Sequence, residues 1–270
     1  MIAGYLAALL IGLTLGLIGG GGSILTVPVL VYLLAVDPVT ATAYSLFIVG
    51  ATSLVAVYPK YQQQEVDLLA ALQFGIPSLL MVFLTRTFIL PAIPAVLFTV
   101  AGQPMTKGRF LLLIFALLMV AAAITMIPDK KVSKEPTNGN ASTPFLFLLG
   151  MGEGLVSGLV GAGGGFLIIP VLVLFARLPM KRAVGTSLLI IAIKSLVGFA
   201  GDLSHHEAIN WPLLLTVTGL SIVGILIGNY FSRRVPAAKL KKGFGWFVLL
   251  MGIYIFWREG RFMVVGDNKK

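Results

Sequence analysis

The chain has 270 residues, of which 58% are hydrophobic and only 11% are charged, whereas soluble domains have about 25% charged residues. Its net charge of +10 falls mostly in short segments between apolar runs, where positive charge sets orientation in a membrane, so we expect no nucleic-acid binding. The chain has no cysteine, which excludes disulfides and cysteine-based metal sites. The apolar runs reach about 18 residues or more and do not alternate, so they predict an all-α polytopic membrane protein and not a β-barrel.

The first apolar element is interrupted by glycines. Residues 2–36 are apolar throughout, and as a single helix they would be about 50 Å long, which is too long for one crossing. The run Gly19–Gly22 should unwind this helix, and Pro28 suits a helix restart because proline has no N–H to donate. The element is therefore predicted to be either a re-entrant hairpin or one broken crossing.

Three transmembrane spans are predicted after this element. They lie at Val39–Tyr58, Val66–Leu84 and Phe110–Ile127. Between the second and the third, Phe88–Ala101 contains two prolines and is too short to cross, so we expect an interfacial or partly re-entrant segment there. Residues 1–127 thus form a first predicted transmembrane repeat.

The second half of the chain repeats the first after a lysine-containing linker at residues 128–143. Gly158–Val173 matches Gly16–Val31 at ten of sixteen positions when Pro170 is aligned with Pro28, so the chain is a duplication of two homologous halves. The second repeat is predicted at residues 144–258, and the polar tail follows at residues 259–270. Within the repeat, the broken element is predicted at Phe145–Ala176 and the three spans at Ala183–Ala200, Trp211–Phe231 and Phe244–Trp257.

Equivalent loops of the two halves carry different charges. The loop at Asp37 has no cation, whereas its counterpart holds Arg177, Lys181 and Arg182. Because cytoplasmic loops carry an excess of Lys and Arg, this difference favours inverted repeats, in which equivalent loops face opposite sides. With the N-terminus outside, inverted repeats give a slightly larger cytoplasmic excess of cations than parallel repeats, although the basic tail counts against them. Both arrangements stay open.

The two glycine breaks are the leading candidates for a binding site. Unwound backbone at membrane depth is tolerated only inside protein or beside a water-filled cavity. Helices that restart at Pro28 and Pro170 would direct free N–H groups and positive dipole ends towards that cavity, which suits an anion. The alternative is helix packing, since Gly12, Gly16 and Gly20 lie four residues apart and form a ladder of small residues.

Lys194 lies inside a predicted span, where a cation costs about 2.5–3.5 kcal/mol on insertion scales and is usually functional. It either binds an anion or extends its ammonium group towards the interface near Gly201. Ser187 lies on the same helical face, and the first half has Thr52 in place of the lysine. Hydroxyls in such spans either bind substrate or bond across helices. The residues predicted to contact substrate are Gly19, Gly20, Gly21, Gly22, Ser23, Ser45, Thr52, Ser53, Gly161, Gly163, Gly164, Gly165, Thr186, Ser187, Lys194 and Ser195.

Glu153 lies in the second broken element, where the first half has Ile11. A membrane carboxylate can carry a coupling proton, or this one forms an interfacial ion pair with lysines of the linker. The run His205-His206-Glu207 resembles a metal cluster, but a single loop without a further ligand is weak evidence, and no metal site is predicted. No cofactor is expected. Because no Ser/His/Asp or paired-carboxylate constellation is visible, an enzyme is not predicted.

Two consecutive motifs of the second half read GEGLVSGLVGAGGGFLIIPVL and AVGTSLLIIAIKSLVGFAGDL. They resemble those of the sulfite exporter TauE/SafE family of bacterial membrane permeases. The resemblance covers both halves, from Gly4 to Trp257. It implies export or uptake of small sulfur-containing anions such as sulfite, sulfonates or thiosulfate, and a place in the bacterial inner membrane. Some members carry cysteines that this chain lacks, so a thiol-dependent mechanism does not transfer.

The function expected from the sequence is secondary transport of a small sulfur-containing anion. The anion would bind at mid-membrane between the two glycine breaks, with Lys194 as its counter-charge, and one repeat would move against the other. The chain has no ATP-binding motif, so an ion gradient is expected to drive transport, with a proton or another cation as the coupling ion. The alternatives are a passive anion channel and, further off, a membrane enzyme or scaffold. The lipid bilayer and a homodimer are the expected partners.

Overall fold

A computed structural model describes residues 2–100, 103–127, 143–203, 209–232 and 237–264. The first half contains helices α1 (Ile2–Ile18), α2, α3 (Pro38–Gln62), α4 (Leu68–Ala92) and α5 (Lys107–Met126). Helix α2 comprises consecutive 3₁₀, α and π segments at Gly20–Leu25, Thr26–Pro28 and Val29–Leu33. The second half contains α6 (Thr143–Val160), α7 (Gly165–Leu174), α8 (Met180–Asp202), α9 (Trp211–Ser232) and α10 (Ala237–Val264). Each helix of the first half therefore has a counterpart five numbers later.

Helices α3, α4, α5, α8 and α9 are long and apolar enough to cross a membrane. Large apolar side chains cover their outward faces, and Leu69, Leu80 and Leu226 are each more than half exposed. An apolar surface of this extent is unfavourable in water but suits a lipid bilayer. The prediction of a mostly helical, polytopic membrane protein is therefore confirmed.

Polar residues before two of these helices fix where they begin. The Asp37 carboxylate accepts hydrogen bonds from the backbone N–H groups of Val39 and Thr40 at the start of α3. Asp67 accepts one from Ala70 at the start of α4. Such caps satisfy N–H groups that have no partner within the helix, so both helix starts are encoded locally in the sequence.

The first glycine break reverses the chain. Gly19 has a φ of 76°, a conformation that glycine adopts readily and other residues do not. Beyond the break, Gly22 packs against Leu15, and Leu34 returns to the level of Gly4. Helices α1 and α2 therefore form a hairpin.

The second glycine break has the same effect. Gly161, Gly163 and Gly164 have φ values of 73°, 65° and 65°. After the reversal, the ring of Phe175 lies 5.3 Å from that of Phe145. Helices α6 and α7 thus form a hairpin that matches the one formed by α1 and α2.

Glycines bring α1 into contact with α9. A Cβ on Gly12 would overlap the backbone at Ser221, and a Cβ on Gly16 would overlap it at Ile225 and beyond. Both contacts advance in the same direction along the chain, so these two helices are parallel. The helix-packing interpretation is therefore confirmed for these two glycines, whose place in the ladder allows close approach.

The counterpart contact joins α6 to α4. Gly154 lies against Ser78, and Gly158 lies against Thr85, so these helices are also parallel. The two hairpins therefore each pack on a helix of the opposite half, and they do so in matching ways.

The counterparts α3 and α8 pack side by side in opposite directions. Gly50 in the middle of α3 contacts Leu196 of α8. Thr42, near the start of α3, and Asp202, at the end of α8, both bond to Arg86. The start of α3 therefore lies beside the end of α8.

The main hydrophobic core lies between the two halves. One buried cluster contains Ile11 of α1, Phe115 and Met119 of α5, Phe166 of α7 and Val248 of α10. Because both hairpins contribute to this cluster, the position of each break depends on packing from both halves.

The predicted segment Phe88–Ala101 begins inside a helix. Helix α4 continues to Ala92, and antiparallel strands β1 (Val96–Val100) and β2 (Gln103–Thr106) follow it, so the start of the segment extends the preceding span and the interfacial position of the strands stays a prediction. The proline in this region of the helix, Pro91, lies in its last turn, where a lost N–H costs little.

The expected helix restarts at the prolines are wrong. Pro28 lies within α2, and Pro170 is the sixth residue of α7. The helices restart at Gly20 and Gly165, directly after glycines with positive φ. Glycine conformation therefore sets the break, and the prolines only follow it.

The remaining expectations concern the end of the chain and its loops. Helix α10 extends beyond the predicted span Phe244–Trp257 at both ends. Residues 128–142 of the linker and residues 265–270 of the tail lie outside the described residues. His205, His206 and Glu207 lie outside them as well.

Candidate functional site

A buried ion pair joins α6 and α8. Lys194 of α8 and Glu153 of α6 are 1% and 5% exposed, and the Lys194 ammonium donates a hydrogen bond to Oε1 of Glu153. The Ser78 hydroxyl of α4 donates to Oε2 of the same carboxylate at 2.5 Å. One carboxylate therefore links three helices. Glu153 forms its ion pair inside the protein and not at an interface with lysines of the linker.

The second glycine break lies directly against this ion pair. A Cβ on Gly164 would overlap the Glu153 carboxylate and would lie 2.8 Å from the Lys194 ammonium nitrogen. A Cβ on the preceding Gly163 would lie 3.2 Å from the Ser195 hydroxyl. Glycine is thus required at these positions both for the backbone conformation and for the close approach of polar side chains.

Burying this ion pair costs free energy. Removing two charges from water costs several kcal/mol per ion, and apolar residues of similar size are often equally stabilising. Ionisable groups buried in membrane proteins therefore mark functional sites more often than structural ones. Lys194 and Glu153 are the strongest candidates of this kind among the predicted site residues.

A second buried ion pair joins α4 and α8. The Arg86 guanidinium is fully buried, and its Nη1 donates to Oδ2 of Asp202 at 3.0 Å. The same nitrogen donates to the Thr42 hydroxyl of α3 at 3.0 Å. Gly161 of the second break packs on Thr42, so this break contacts the first ion pair at one end and a hydrogen-bond partner of Arg86 at the other.

Sequence reasoning missed Arg86 because it placed the end of its helix at Leu84. The apolar residues Phe88–Ala92 were the available signal, since they extend the helix beyond the arginine. With those residues included, Arg86 is an ionisable residue inside a membrane-spanning helix, as Lys194 is.

The two ion pairs are connected by buried polar residues. On α8, Asp202 follows Lys194 by eight residues, which is about 12 Å along a helix, and on α4 Arg86 follows Ser78 by the same number. Hydroxyls on α3, α4, α6 and α8 are buried without a hydrogen-bond partner among the described residues, namely Ser45, Ser53, Thr85, Ser157 and Ser195. We use the name polar column for the two ion pairs, Ser78 and these hydroxyls, which together run from Lys194 to Arg86.

The first-half counterparts of Glu153 and Lys194 form no ion pair. Ile11 and Thr52 occupy the positions that match Glu153 and Lys194, and the Thr52 hydroxyl bonds to the Ile48 carbonyl. The site is therefore asymmetric, although the fold is duplicated.

The two breaks themselves are in contact. A Cβ on Gly20 would lie 2.7 Å from Cα of Gly165 and 2.5 Å from Cδ1 of Ile191. The Ser23 hydroxyl of the first break donates to the Gly20 carbonyl at 2.8 Å. The space between the breaks is therefore closed in this conformation.

Two further predicted residues bond to the protein backbone. The Thr186 hydroxyl accepts a hydrogen bond from the backbone N–H of Asp67 at 2.9 Å. The Ser187 hydroxyl donates to the carbonyl of Val184 at 2.8 Å. Both bonds are structural, and neither residue contacts Lys194 through them.

A cavity of about 510 Å³ lies at the Arg86 end of the polar column. Its wall includes Asp37, Lys107, Arg109, Arg258 and Glu259. Lys107 lies close enough to interact electrostatically with the Arg86–Asp202 pair. Among the described residues, no three His, Asp or Glu side chains are grouped as metal ligands would be.

Comparison with known proteins extends these observations. The model of the family described as "Sulfite exporter TauE/SafE" matches residues 4–255. A "Probable membrane transporter protein" of Xylella fastidiosa (strain Temecula1) is 29% identical over 259 residues, which cover 93% of this chain and 92% of the relative. "Probable membrane transporter protein YunE" of Bacillus subtilis is 27% identical over 273 residues, covering 94% and 96%. No solved structure matches.

Proposed function

The chain belongs to the sulfite exporter TauE/SafE family of membrane transporters, and we propose that it moves a small sulfur-containing anion across the bacterial inner membrane by secondary transport. Sulfite, sulfonates and thiosulfate are the substrate class. The buried Lys194–Glu153 ion pair beside the second glycine break is the observation that carries this proposal.

The two halves are proposed to be inverted repeats. The opposite directions of α3 and α8 support this, because counterparts related by an axis in the membrane plane run antiparallel. The parallel contacts of α1 with α9 and of α6 with α4 are consistent with the same axis. Secondary transporters built in this way bind substrate at the interface of the repeats, where the polar column lies.

Lys194 is proposed as the counter-charge of the substrate. Its ammonium group is held at the second break, where Gly163 and Gly164 allow the backbone to approach without side chains. The hydroxyls of Ser195 and Ser53 have no hydrogen-bond partner in the described part of the chain. These hydroxyls and the N–H groups at the start of α7 are the proposed donors to the oxygens of the anion. In the conformation described, the Glu153 carboxylate is paired with the Lys194 ammonium group, so a substrate anion has to replace this carboxylate.

Protonation of Glu153 is the proposed coupling step. When the carboxylate takes up a proton it becomes neutral, and the Lys194 ammonium loses its counter-ion. A buried cation without a partner is strongly unfavourable, so binding of the substrate anion becomes favourable at that point. One proton on Glu153 and one anion on Lys194 then move together, and the ion pair reforms when both leave.

Movement of the hairpins is proposed to complete the cycle. Gly20 and Gly165 touch in the closed conformation, so access to Lys194 requires the two breaks to separate. Rocking of one repeat against the other would achieve this without unfolding either hairpin.

Uptake of labelled sulfite into proteoliposomes tests the proposal. The wild-type protein should accumulate sulfite when an inward proton gradient is imposed, and a protonophore should abolish accumulation. Glu153→Gln, which cannot change its charge, should lose this response at least tenfold while still exchanging labelled for unlabelled sulfite. The matched control is Glu65→Gln, since Glu65 also pairs with a lysine, Lys60 at 2.8 Å, but in a partly exposed loop.

Two results would contradict the proposal. If uptake by the wild-type protein does not depend on the proton gradient, proton coupling is rejected. If the protein conducts ions and its anion flux is not accelerated by substrate on the opposite side of the membrane, the protein is a passive channel and not a transporter.

A further inference from the structure

The Arg86 side chain uses only part of its hydrogen-bonding capacity. Its Nη1 bonds to Asp202 and Thr42. Its Nε and Nη2, although fully buried, have no hydrogen-bond partner among the described residues. A buried donor without a partner costs about 1–3 kcal/mol, and more when the group is charged, so this arrangement calls for a ligand.

The free atoms form one edge of the guanidinium group. The N–H bonds of Nε and Nη2 are parallel and lie in one plane, a geometry that matches two oxygens of a carboxylate, sulfonate or phosphate. A halide offers one acceptor centre and matches this edge less well. The free edge therefore selects oxyanions by shape as well as by charge.

We propose that the free edge of Arg86 binds an oxyanion with at least two terminal oxygens, such as sulfite or a sulfonate group. This site is a second substrate position, about 12 Å along the polar column from Lys194. The inference rests on the proposed function, since it gives the same substrate class a second point of contact.

The surroundings of Arg86 fit an anion site. Asp202 occupies the opposite edge and holds the guanidinium in place, so that the free edge has a fixed direction. The hydroxyls of Thr85 and Thr87, on the same turn of α4, also have no partner in the described part of the chain. Lys107 adds a second cation that interacts with this pair, which leaves the group with an excess of positive charge.

A cavity is present at the same end of the protein. Lys107 forms part of the wall of the 510 Å³ cavity. Arg109 and Arg258 line the same cavity together with two carboxylates, Asp37 and Glu259, and the remaining excess of cations raises the local concentration of an anion. An anion that reached the polar column from this cavity would meet Arg86 before Lys194.

The duplicated half has no arginine at the equivalent position. Gly154 contacts Ser78 as its counterpart Gly12 contacts Ser221, and on this correspondence Asn229 takes the position of Arg86. The matching interface is closely packed through Gly12, Gly16 and Gly228, so among the described residues the arginine edge belongs to one of the two interfaces.

Anion binding to purified protein in nanodiscs tests the site. The affinities of sodium sulfite and methanesulfonate would be measured by calorimetry, with chloride as the comparison anion. Arg86→Lys keeps the charge and removes the paired N–H groups, so oxyanion affinity should fall at least tenfold while the weak effect of chloride is unchanged. The control is Arg182→Lys, at an exposed arginine in the first turn of α8, and it should bind as the wild type does.

The outcomes separate this inference from the proposed function. If the wild type binds and transports sulfite and Arg86→Lys binds it equally well, the Arg86 site is rejected while the function stands. If the wild type binds no oxyanion, both are rejected. If sulfite binds but its transport does not depend on the proton gradient, the proposed coupling is rejected. The Arg86 site is then still tested by the oxyanion affinity of Arg86→Lys.

Should Arg86→Lys fail to fold, hydrogen exchange on the wild-type protein decides the question. Saturating sulfite should slow exchange in peptides covering residues 83–90 relative to chloride. Peptides covering residues 222–230, at the glycine-packed counterpart in α9, should not change. Equal change in both, or none in the first despite measured binding, would overturn the site.

Discussion

Gly20 and Gly165 meet with no side chain between them: a Cβ on Gly20 would lie 2.7 Å from Cα of Gly165. Each glycine is the first residue of the returning helix of its hairpin, so the two halves touch at the points where their helices restart. The expected substrate position between the breaks is occupied by this contact. Any access between the breaks therefore depends on separating two backbones.

Gly20→Ala should disturb this contact. The added methyl group meets backbone at Gly165 and the side chain of Ile191, and overpacking of this kind typically costs about 1–3 kcal/mol. We expect a lower melting temperature in detergent and at least tenfold slower sulfite exchange. Gly152→Ala is the control, because nothing lies within 4 Å of its Cβ position. A wild-type exchange rate for Gly20→Ala would show that the contact is not part of the transport cycle.

Gly164→Ala should act on the ion pair itself. Its φ of 65° is strained for alanine by about 1–2 kcal/mol, and the methyl group would displace the Glu153 carboxylate from its place beside Lys194. We expect loss of the response to a proton gradient together with reduced stability. Gly219→Ala in α9, which has open space at its Cβ position, should leave both unchanged. A Gly164→Ala protein that retains proton-driven uptake would contradict the proposed role of the pair.

Single and double variants of Lys194 and Glu153 separate stability from transport. Lys194→Met or Glu153→Gln leaves one group unpaired in a buried position, which typically costs about 3–5 kcal/mol when the remaining group stays charged. The double variant removes both charges and should regain most of the melting temperature of the wild type, but it should transport no sulfite. Recovery of transport along with stability would show that the pair is only structural.

Much of the fold was predictable because the signals are local. Apolar runs, the repeat of the Gly-rich stretch and the charges between spans identify the helices and the duplication without any knowledge of contacts. The glycine breaks were identified for the same reason, since a run such as Gly19–Gly22 acts on its own backbone. The prolines misled because their effect depends on position within the helix, and both Pro28 and Pro170 are tolerated beyond the first turn.

The site was only partly predictable because its contacts are not local. Lys194 and Glu153 were each singled out, but 41 residues separate them along the chain, and nothing in either segment indicates their pairing. Arg86 was missed for a different reason, since its burial depends on where α4 ends. Helix ends are the least certain feature of an apolar sequence, and here a shift from Leu84 to Ala92 changes a loop cation into a buried one.

Membrane orientation gives the last prediction. If the repeats are inverted and the N-terminus is outside, the hairpin of α1 and α2 returns to the outer side, α3, α4 and α5 cross in turn, and the linker at residues 128–142 is cytoplasmic. A reporter fused after Lys270 should then be extracytoplasmic, and one inserted at Asn138 should be cytoplasmic. The cavity beside Lys107 lies at the start of α5 and the end of α10, so it would open to the outer side, on which the Arg86 end of the polar column also lies. A reporter at Lys270 that reads cytoplasmic would reverse this orientation, and the Arg86 end of the polar column would then lie on the cytoplasmic side.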